Sequence, residues 1–374
     1  MSENPQILLA GGGTGGHLYP GVAVAQALSP IWPDAKPVFL CTQREIDRVI
    51  LKETGFEFVE QPIVRLAHSV SGLLRFWEGW RKTKDMVRKV LDDRKPAAVL
   101  GLGGYAAGVA VKLAAEKGIP TAILNPDAIP GKANQYLMRY AQAVCCQFEE
   151  TAQHVASEHR GKLVTTGCPI RSDILHLPPR EEAVARLMVE PNLQTLVITG
   201  ASQGALTVNE AILELLKTVT LRGWQVLHLA GLDHAQVVRA GYRELGIAAR
   251  VIDFTPNMAD IWAVADLAVS RSGASSCAEL TACGVPSILM PYPFHKDMHQ
   301  RANAKVLADA GAAVLMDDQR DARKNAAQLT PIVESLLYDL NKRQSMAAAA
   351  KKLGRPNAAE SVASKITQIA SAGR

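Results

Sequence analysis

The segment Gly11-Gly12-Gly13-Thr14-Gly15-Gly16-His17 carries two kinds of chemistry. Its glycines let backbone amides approach an anion at the positive start of a helix. Its histidine, with an ordinary pKa of about 6.5, suits proton transfer at neutral pH. The glycines fit GxGxxG through Gly11, Gly13 and Gly16, a pattern that decides little by itself. A dinucleotide enzyme should follow it with an acid about 20 residues on, after the second strand. That strand ends here in Thr42-Gln43-Arg44, and Glu45 comes only after them. Arg44 suits a 2′-phosphate, so an NADP oxidoreductase stays open. His17 and a second set of glycine loops oppose it.

The second set begins at Gly200-Ala201-Ser202-Gln203-Gly204-Ala205. Its amides, with Ser202 and Gln203, suit a pyrophosphate, although a tight strand–helix turn without ligand has the same sequence. Arg171 would add charge opposite it. Arg271-Ser272-Gly273-Ala274-Ser275-Ser276 then offers hydroxyls and little bulk ahead of Glu279. A carboxylate near a helix start can simply complement the helix dipole, worth under about 1 kcal/mol. It also suits two ribose hydroxyls. Gln300 and Asn303 are three apart, share a helix face, and have the donors and acceptors that sugar hydroxyls need. An ordinary polar helix surface has the same pattern.

Short apolar runs place these segments on strand ends. Gln6–Ala10 opens into the first glycine loop, and a helix follows with Val22, Ala25 and Leu28 on one face. Strands are predicted at residues 37–41, 97–102 and 120–124; the second of these ends in Gly103-Gly104-Tyr105. The pattern restarts with a strand at 195–199, then a helix through Ile212, Leu213, Leu216 and Val219. Further strands are predicted at 226–230, 267–270 and 287–290. Short buried strands alternating with helices predict an α/β chain with doubly wound parallel sheets, in two halves. The join falls near Gly167-Cys168-Pro169, and only helical sequence follows Asp317.

The chain has 374 residues, enough for two to three domains at about 150 residues each. Hydrophobic residues at 48% and charged residues at 21% can fill large cores, which excludes disordered and fibrous classes. Lys+Arg 41 against Asp+Glu 36 leaves +5, too mild for a nucleic-acid binder. The cysteines Cys41, Cys145, Cys146, Cys168, Cys277 and Cys283 form no CxxC pair and are expected to be packed free thiols. No signal peptide and no transmembrane helix are expected, so any membrane contact is peripheral.

Taken in order and at their spacing, Gly12–His17, Gly103-Gly104-Tyr105, Gly200–Ala205, Arg271–Glu279 and Asp297–Asn303 resemble the MurG family of peptidoglycan N-acetylglucosaminyltransferases. The resemblance runs from about Ile7 to Val362. It implies a GT-B fold, two Rossmann-like domains facing a cleft, here at 1–166 and 167–345, with helix 346–374 packing back on the first. It implies inverting transfer of N-acetylglucosamine from its UDP donor to the C4 hydroxyl of the N-acetylmuramoyl sugar of undecaprenyl-linked lipid I, giving lipid II.

The resemblance also implies roles. Glu279 would hold the uridine ribose, and Thr255 after Phe254 would offer backbone contacts to uracil. Ser202 and Gln203 would hold the diphosphate, with Ala274, Ser275 and Ser276 nearby and Arg171 where the family has its Gly-Asn-Pro-x-Arg. Gln300 and Asn303 would contact the sugar, with Thr14, Gly15 and Gly16 also lining the donor. His17 would be the base, and Gly103, Gly104, Tyr105 and Asp127 would lie on the acceptor side. The usual Asp-x-Asp metal ligand of other glycosyltransferases is absent from the chain, so no metal and no cofactor are expected.

The chain departs from the family at Leu124-Asn125-Pro126-Asp127, where His-Glu-Gln-Asn is usual, and Asp127 becomes a second base candidate. His299 replaces the first amide of a Gln-Gln pair. The departure leaves two alternatives: a relative with another lipid-linked or small-molecule acceptor, or a non-catalytic nucleotide-sugar-binding scaffold. Between Leu73 and Lys89, Leu74, Phe76, Trp77 and Trp80 alternate with Arg75, Arg81, Lys82, Lys84, Arg88 and Lys89. This stretch is either a helix docked on its own domain or a patch for anionic lipid on the cytoplasmic face of the cell membrane, where the acceptor resides. Other cell-wall enzymes are further expected partners.

Overall fold

The computed structural model describes residues 4–64, 70–200, 204–294 and 297–373. It divides by contacts into two compact units. The first holds residues 1–171 and 356–374, and the second holds 172–355. The divisions fall a few residues after the expected 166 and ten after 345. Helix Leu340–Leu353 therefore stays with the second unit, packed on helix Ala274–Cys283. Helix Ala358–Ala372, by contrast, packs on helix Gly15–Ile31 of the first unit.

The first unit is a seven-stranded sheet: β1 (Gln6–Ala10), β2 (Lys36–Thr42), β3 (Glu57–Gln61), β4 (Ala98–Gly101), β5 (Thr121–Asn125), β6 (Ala143–Cys146) and β7 (Leu163–Thr165). The second is six-stranded: β8 (Gln194–Thr199), β9 (Trp224–Leu229), β10 (Ala249–Ile252), β11 (Ala265–Ser270), β12 (Ser287–Leu289) and β13 (Ala313–Leu315). The orders are β3-β2-β1-β4-β5-β6-β7 and β10-β9-β8-β11-β12-β13, and the pairings are parallel. Both are Rossmann-like, as expected.

Strand alternation builds the first core on two faces. Ile7, Leu9, Phe39, Leu100 and Ala122 pack with Val362 and Ile366 of the last helix. Leu8, Val38, Leu40, Val99 and Ile123 point the other way. Each fully buried Leu or Ile contributes about 1.5–3 kcal/mol. The second core joins Leu196, Ile198, Val226 and Val269 to Leu329, Val333 and Leu336.

Strand order reverses between β1 and β4 in the first sheet and between β8 and β11 in the second. Open α/β sheets bind ligands at the carboxyl ends of strands at such switch points. The loops after these four strands are the glycine loops and the Arg271 loop.

Among the described residues, no helix is long and apolar enough to cross a membrane. None of the six cysteines is disulfide-bonded, and burial pushes the Cys145 thiol up to about 12. They behave as small core residues.

Candidate active site

In the first unit the switch point seats His17. It is the third residue of helix Gly15–Ile31, and its ring lies against the start of helix Gly104–Glu116. A Cβ built on Gly104 would stand 3.1 Å from His17 Cε1, and one on Gly103 3.3 Å from Cδ2. Gly103 has φ +102° and Gly104 φ +70°. Thr14 Oγ1 lies 3.1 Å from His17 Nδ1. Burial lowers the imidazole pKa, against the Gly12 backbone and the charges of Asp127 and Asp47, which raise it. Two helix N-termini also disfavour a cation there. The ring is neutral at pH 7 and able to accept a proton.

The structure thus gathers Thr14, His17, Gly103, Gly104 and the charge of Asp127. The Tyr105 hydroxyl would stand 3.5 Å from a Cβ on Gly13. Asn125 Nδ2 donates to the Asp127 carbonyl at 2.8 Å, and Asn134 Nδ2 to Asn125 Oδ1 at 3.1 Å, which pins the departing segment. Leu124 and Pro126 line a small apolar hollow with Leu102, Cys145 and Cys168.

The glycine loop is not open to a dinucleotide. Gly13 N donates to both oxygens of Asp47 at 2.8 Å. Thr42 donates to Asp47 Oδ2 through its amide at 2.9 Å and its hydroxyl at 2.6 Å. Arg44, the candidate 2′-phosphate ligand, donates instead to the Gly13 carbonyl. A carboxylate stands where a pyrophosphate would, which removes the NADP reading.

In the second unit, Gly204 (φ +73°) turns the chain from β8 into helix Leu206–Leu215. Ser202 and Gln203 lie outside the described residues. After β11, Gly273 caps helix Ala274–Cys283, whose first turn is Ala274, Ser275 and Ser276. That turn contains no acid, as an anion site requires. Glu279 is half-buried, and Trp262 Nε1 donates to its Oε2 at 2.8 Å.

Arg271 organises the loops. Its guanidinium donates to the Met290 and Pro291 carbonyls, to Asp318 Oδ2 at 2.9 Å and to Thr207 Oγ1 at 2.8 Å. It ties the ends of β11 and β12 to the helix after β8. Burial raises the Asp318 pKa, but donation from Thr207, Asn325, the Arg320 amide and Arg271 outweighs it, and the net shift is downward.

Gln300 Oε1 accepts from the Tyr292 amide at 2.9 Å, and the Gln300 carbonyl accepts from Ser272 Oγ. Asn303 is 0% exposed and donates to the Ser272 carbonyl at 3.1 Å. It braces the Arg271 loop from beneath, instead of lying on a polar surface with Gln300. Thr255 Oγ1 accepts from Asn257 N, fixing the turn after half-exposed Phe254. Arg171 belongs to the first unit, its guanidinium 5.0 Å from the Tyr19 ring centroid.

Helix Val70–Arg94 carries the basic-aromatic stretch. Trp77 is 59% exposed, whereas Trp80 packs on the first core, so the two tryptophans do not form one exposed pair. Arg75, Arg81, Lys82, Lys84, Arg88 and Lys89 are exposed; the side chains of Leu73 and Leu74 lie outside the description.

Comparison with known proteins decides the family. The glycosyltransferase family 28 N-terminal domain matches residues 7–146, and its C-terminal domain matches 195–362. A Listeria welshimeri protein named UDP-N-acetylglucosamine–N-acetylmuramyl-(pentapeptide) pyrophosphoryl-undecaprenol N-acetylglucosamine transferase is 34% identical over 371 residues, 97% of this chain and 99% of that protein. The chain belongs to this family. A namesake from Desulforudis audaxviator is also 34% identical, over 98% of this chain and 99% of its own. The crystal structure of Acinetobacter baumannii MurG matches with TM-score 0.76 at 27% identity, covering 97% of this chain and 99% of that one. The enzyme is therefore an N-acetylglucosaminyltransferase of the MurG family with the GT-B fold.

Three residues of this MurG-family site escaped the sequence reading. Asp47 had a signal, since it is an acid in a helix first turn just after β2. Arg271 stands in the sequence only as part of a small-residue loop, and its buried ion pair depends on Asp318, 47 residues away. Trp262 reads as an ordinary core residue, and nothing in its spacing links it to Glu279.

Proposed function

We propose that the enzyme transfers N-acetylglucosamine from UDP-N-acetylglucosamine to the C4 hydroxyl of the N-acetylmuramoyl sugar of undecaprenyl-linked lipid I, with inversion. The first unit takes the acceptor and the second the donor. The observation that carries the residue roles is the seat of His17: a neutral imidazole over the Gly103–Gly104 backbone, beside the negative charge of Asp127.

In one displacement the acceptor oxygen attacks the anomeric carbon, and the bond from that carbon to the diphosphate oxygen breaks. The hydroxyl proton passes to His17, and the electron pair leaves with UDP. Asp127 favours the imidazolium as it forms. Tyr105, Gly103 and Gly104 shape the acceptor side. The amides at Ala274, Ser275 and Ser276, with Ser202 and Gln203, receive the diphosphate and its developing charge. Glu279 accepts from the ribose hydroxyls, the Thr255 turn meets uracil, and Gln300 meets the sugar. Asn303 acts through Ser272.

Exposed Trp77 among six exposed cations supports a peripheral contact with anionic lipid on the cytoplasmic face, where the acceptor resides. Other cell-wall enzymes would be neighbours there. Purified protein, radiolabelled UDP-N-acetylglucosamine and a short-chain lipid I analogue test the reading. Label should move to the lipid. Tight UDP binding without transfer would favour a different acceptor or a non-catalytic scaffold.

A further inference from the structure

Asp47 is a fully buried carboxylate that the mechanism above does not use. It lies on helix Glu45–Thr54, yet it reaches across to the loop after β1. Three donors converge on it: the Gly13 amide, shared between its two oxygens, the Thr42 amide and the Thr42 hydroxyl. Hydrogen bonds to a charged acceptor are roughly twice as strong as neutral ones. On the other side of the same peptide, Arg44 holds the Gly13 carbonyl. The loop is therefore clamped from both sides by its own chain.

Gly12 stands between this clamp and His17. A Cβ on Gly12 would fall 2.3 Å from Asp47 Oδ2, so only glycine fits, and its φ is +152°. Thr14, next after Gly13, stands with its Oγ1 3.1 Å from His17 Nδ1. Moving Asp47 would shift Gly12 and Gly13 and, with them, the imidazole.

We propose that Asp47 is a positioning residue for His17: an internal anion that fills the phosphate place of the glycine loop and fixes the backbone from which Thr14 meets the imidazole. The proposal rests on His17 being the base. It explains why a glycine-rich loop at a switch point serves proton transfer here. A loop whose central amide already holds a carboxylate has no place there for a ligand's phosphate.

The charged groups facing His17 are Asp127 after β5 and Asp47 on its helix, with Arg44 and the Tyr105 hydroxyl beside Gly13. Replacing Asp47 by the near-isosteric, uncharged Asn turns one N–H toward donors and removes a charge that favours the imidazolium. Asp47→Asn should lower kcat at least ~10-fold and leave KM for UDP-N-acetylglucosamine within about twofold. By NMR, the His17 ring signals, assigned by their loss in His17→Ala, should move and titrate at lower pH. A merely structural residue would not give that split or that shift.

If Asp47→Asn gives no cooperative thermal transition, Thr42→Val is the deciding variant. It removes one donor and keeps the charge, and should lower kcat about threefold while displacing the His17 signals. A folded Asp47→Asn, or failing that Thr42→Val, with wild-type kcat and wild-type His17 signals overturns the proposal. If His17→Ala keeps full turnover, the base assignment is wrong; the His17 NMR signals then still report whether Asp47 positions the ring.

Discussion

At the scale of single residues, His17 makes the sharpest demand on its neighbours. Its pKa lies below the ordinary 6.5, chiefly through burial. Wild-type kcat should therefore be flat across neutral pH and fall only on the acid side, below about 6.5. A limb centred above pH 7 would show that another group takes the proton. Gly104→Ala brings a methyl to 3.1 Å from the ring at φ +70°. We expect kcat to fall about 10-fold, with KM for the donor unchanged, in steady-state assays. In the other unit, Trp262→Phe keeps the ring and removes the donor to Glu279. UDP affinity measured calorimetrically should weaken about 3–10-fold, and Glu279→Ala should weaken it further. Unchanged UDP affinity in both variants would sink the ribose assignment. These roles were unevenly legible. His17 and Glu279 stand out because their chemistry is carried by one side chain beside a glycine loop. Asn303 looked equivalent to Gln300 because helical spacing shows a shared face, and only packing shows that one of the two is beneath it.

At the scale of elements, helix Val70–Arg94 separates two tryptophans that sequence treats alike. Trp77 is exposed, whereas Trp80 packs on the first core. Trp77→Ala should reduce sedimentation with anionic vesicles severalfold without changing the melting temperature, and raised salt should weaken what remains. Trp80→Ala should lower the melting temperature, since it removes a core contact worth up to about 3–5 kcal/mol. Equal vesicle binding by wild type and Trp77→Ala would make the helix a docked element only. Strands β1, β2, β4, β5, β8, β9, β11 and β12 were legible as apolar runs before turn signals. Strands β3, β6, β7, β10 and β13 were not. β7, β10 and β13 are sheet edges with only partial burial, so no continuous buried run marks them, and β6 is only Ala-Val-Cys-Cys. β3 is Glu-Phe-Val-Glu-Gln at a sheet edge, where polar ends hide it. Apolar helical spacing runs past the end of the helix after β8, because Leu216 and Val219 stay buried beyond Leu215.

At the scale of the whole molecule, each unit has its own core, and the last helix completes the first one. The second core contains a buried titratable network. His228 on β9 is 0% exposed, with Nδ1 2.8 Å from the Tyr242 hydroxyl and Nε2 3.1 Å from Asn209 Oδ1. Asn209 also donates to the Ala230 carbonyl. The Asn oxygen can only accept, so Nε2 carries the proton and Nδ1 accepts from tyrosine. A second proton, on Nδ1, would force the Tyr242 hydroxyl to turn from donor to acceptor, and burial pushes the His228 pKa down to about 3. The unfolded chain has an ordinary value near 6.5. Above pH 6.5 the ring is neutral in both states and its contribution is complete. Below that, only the unfolded state gains a proton, so stability falls until about pH 3. Between pH 6.5 and 5 the loss is about 2 kcal/mol. His17, also lowered, acts in the same direction in the first unit. Urea unfolding at pH 7.5 and pH 5, followed by the fluorescence of Trp224 and Trp262 with Trp32, Trp77 and Trp80 replaced by Phe, reads the second core. His228→Gln should be less stable at pH 7.5 and lose about 2 kcal/mol less than wild type on acidification. Parallel losses in the two proteins would place the acid sensitivity outside this network.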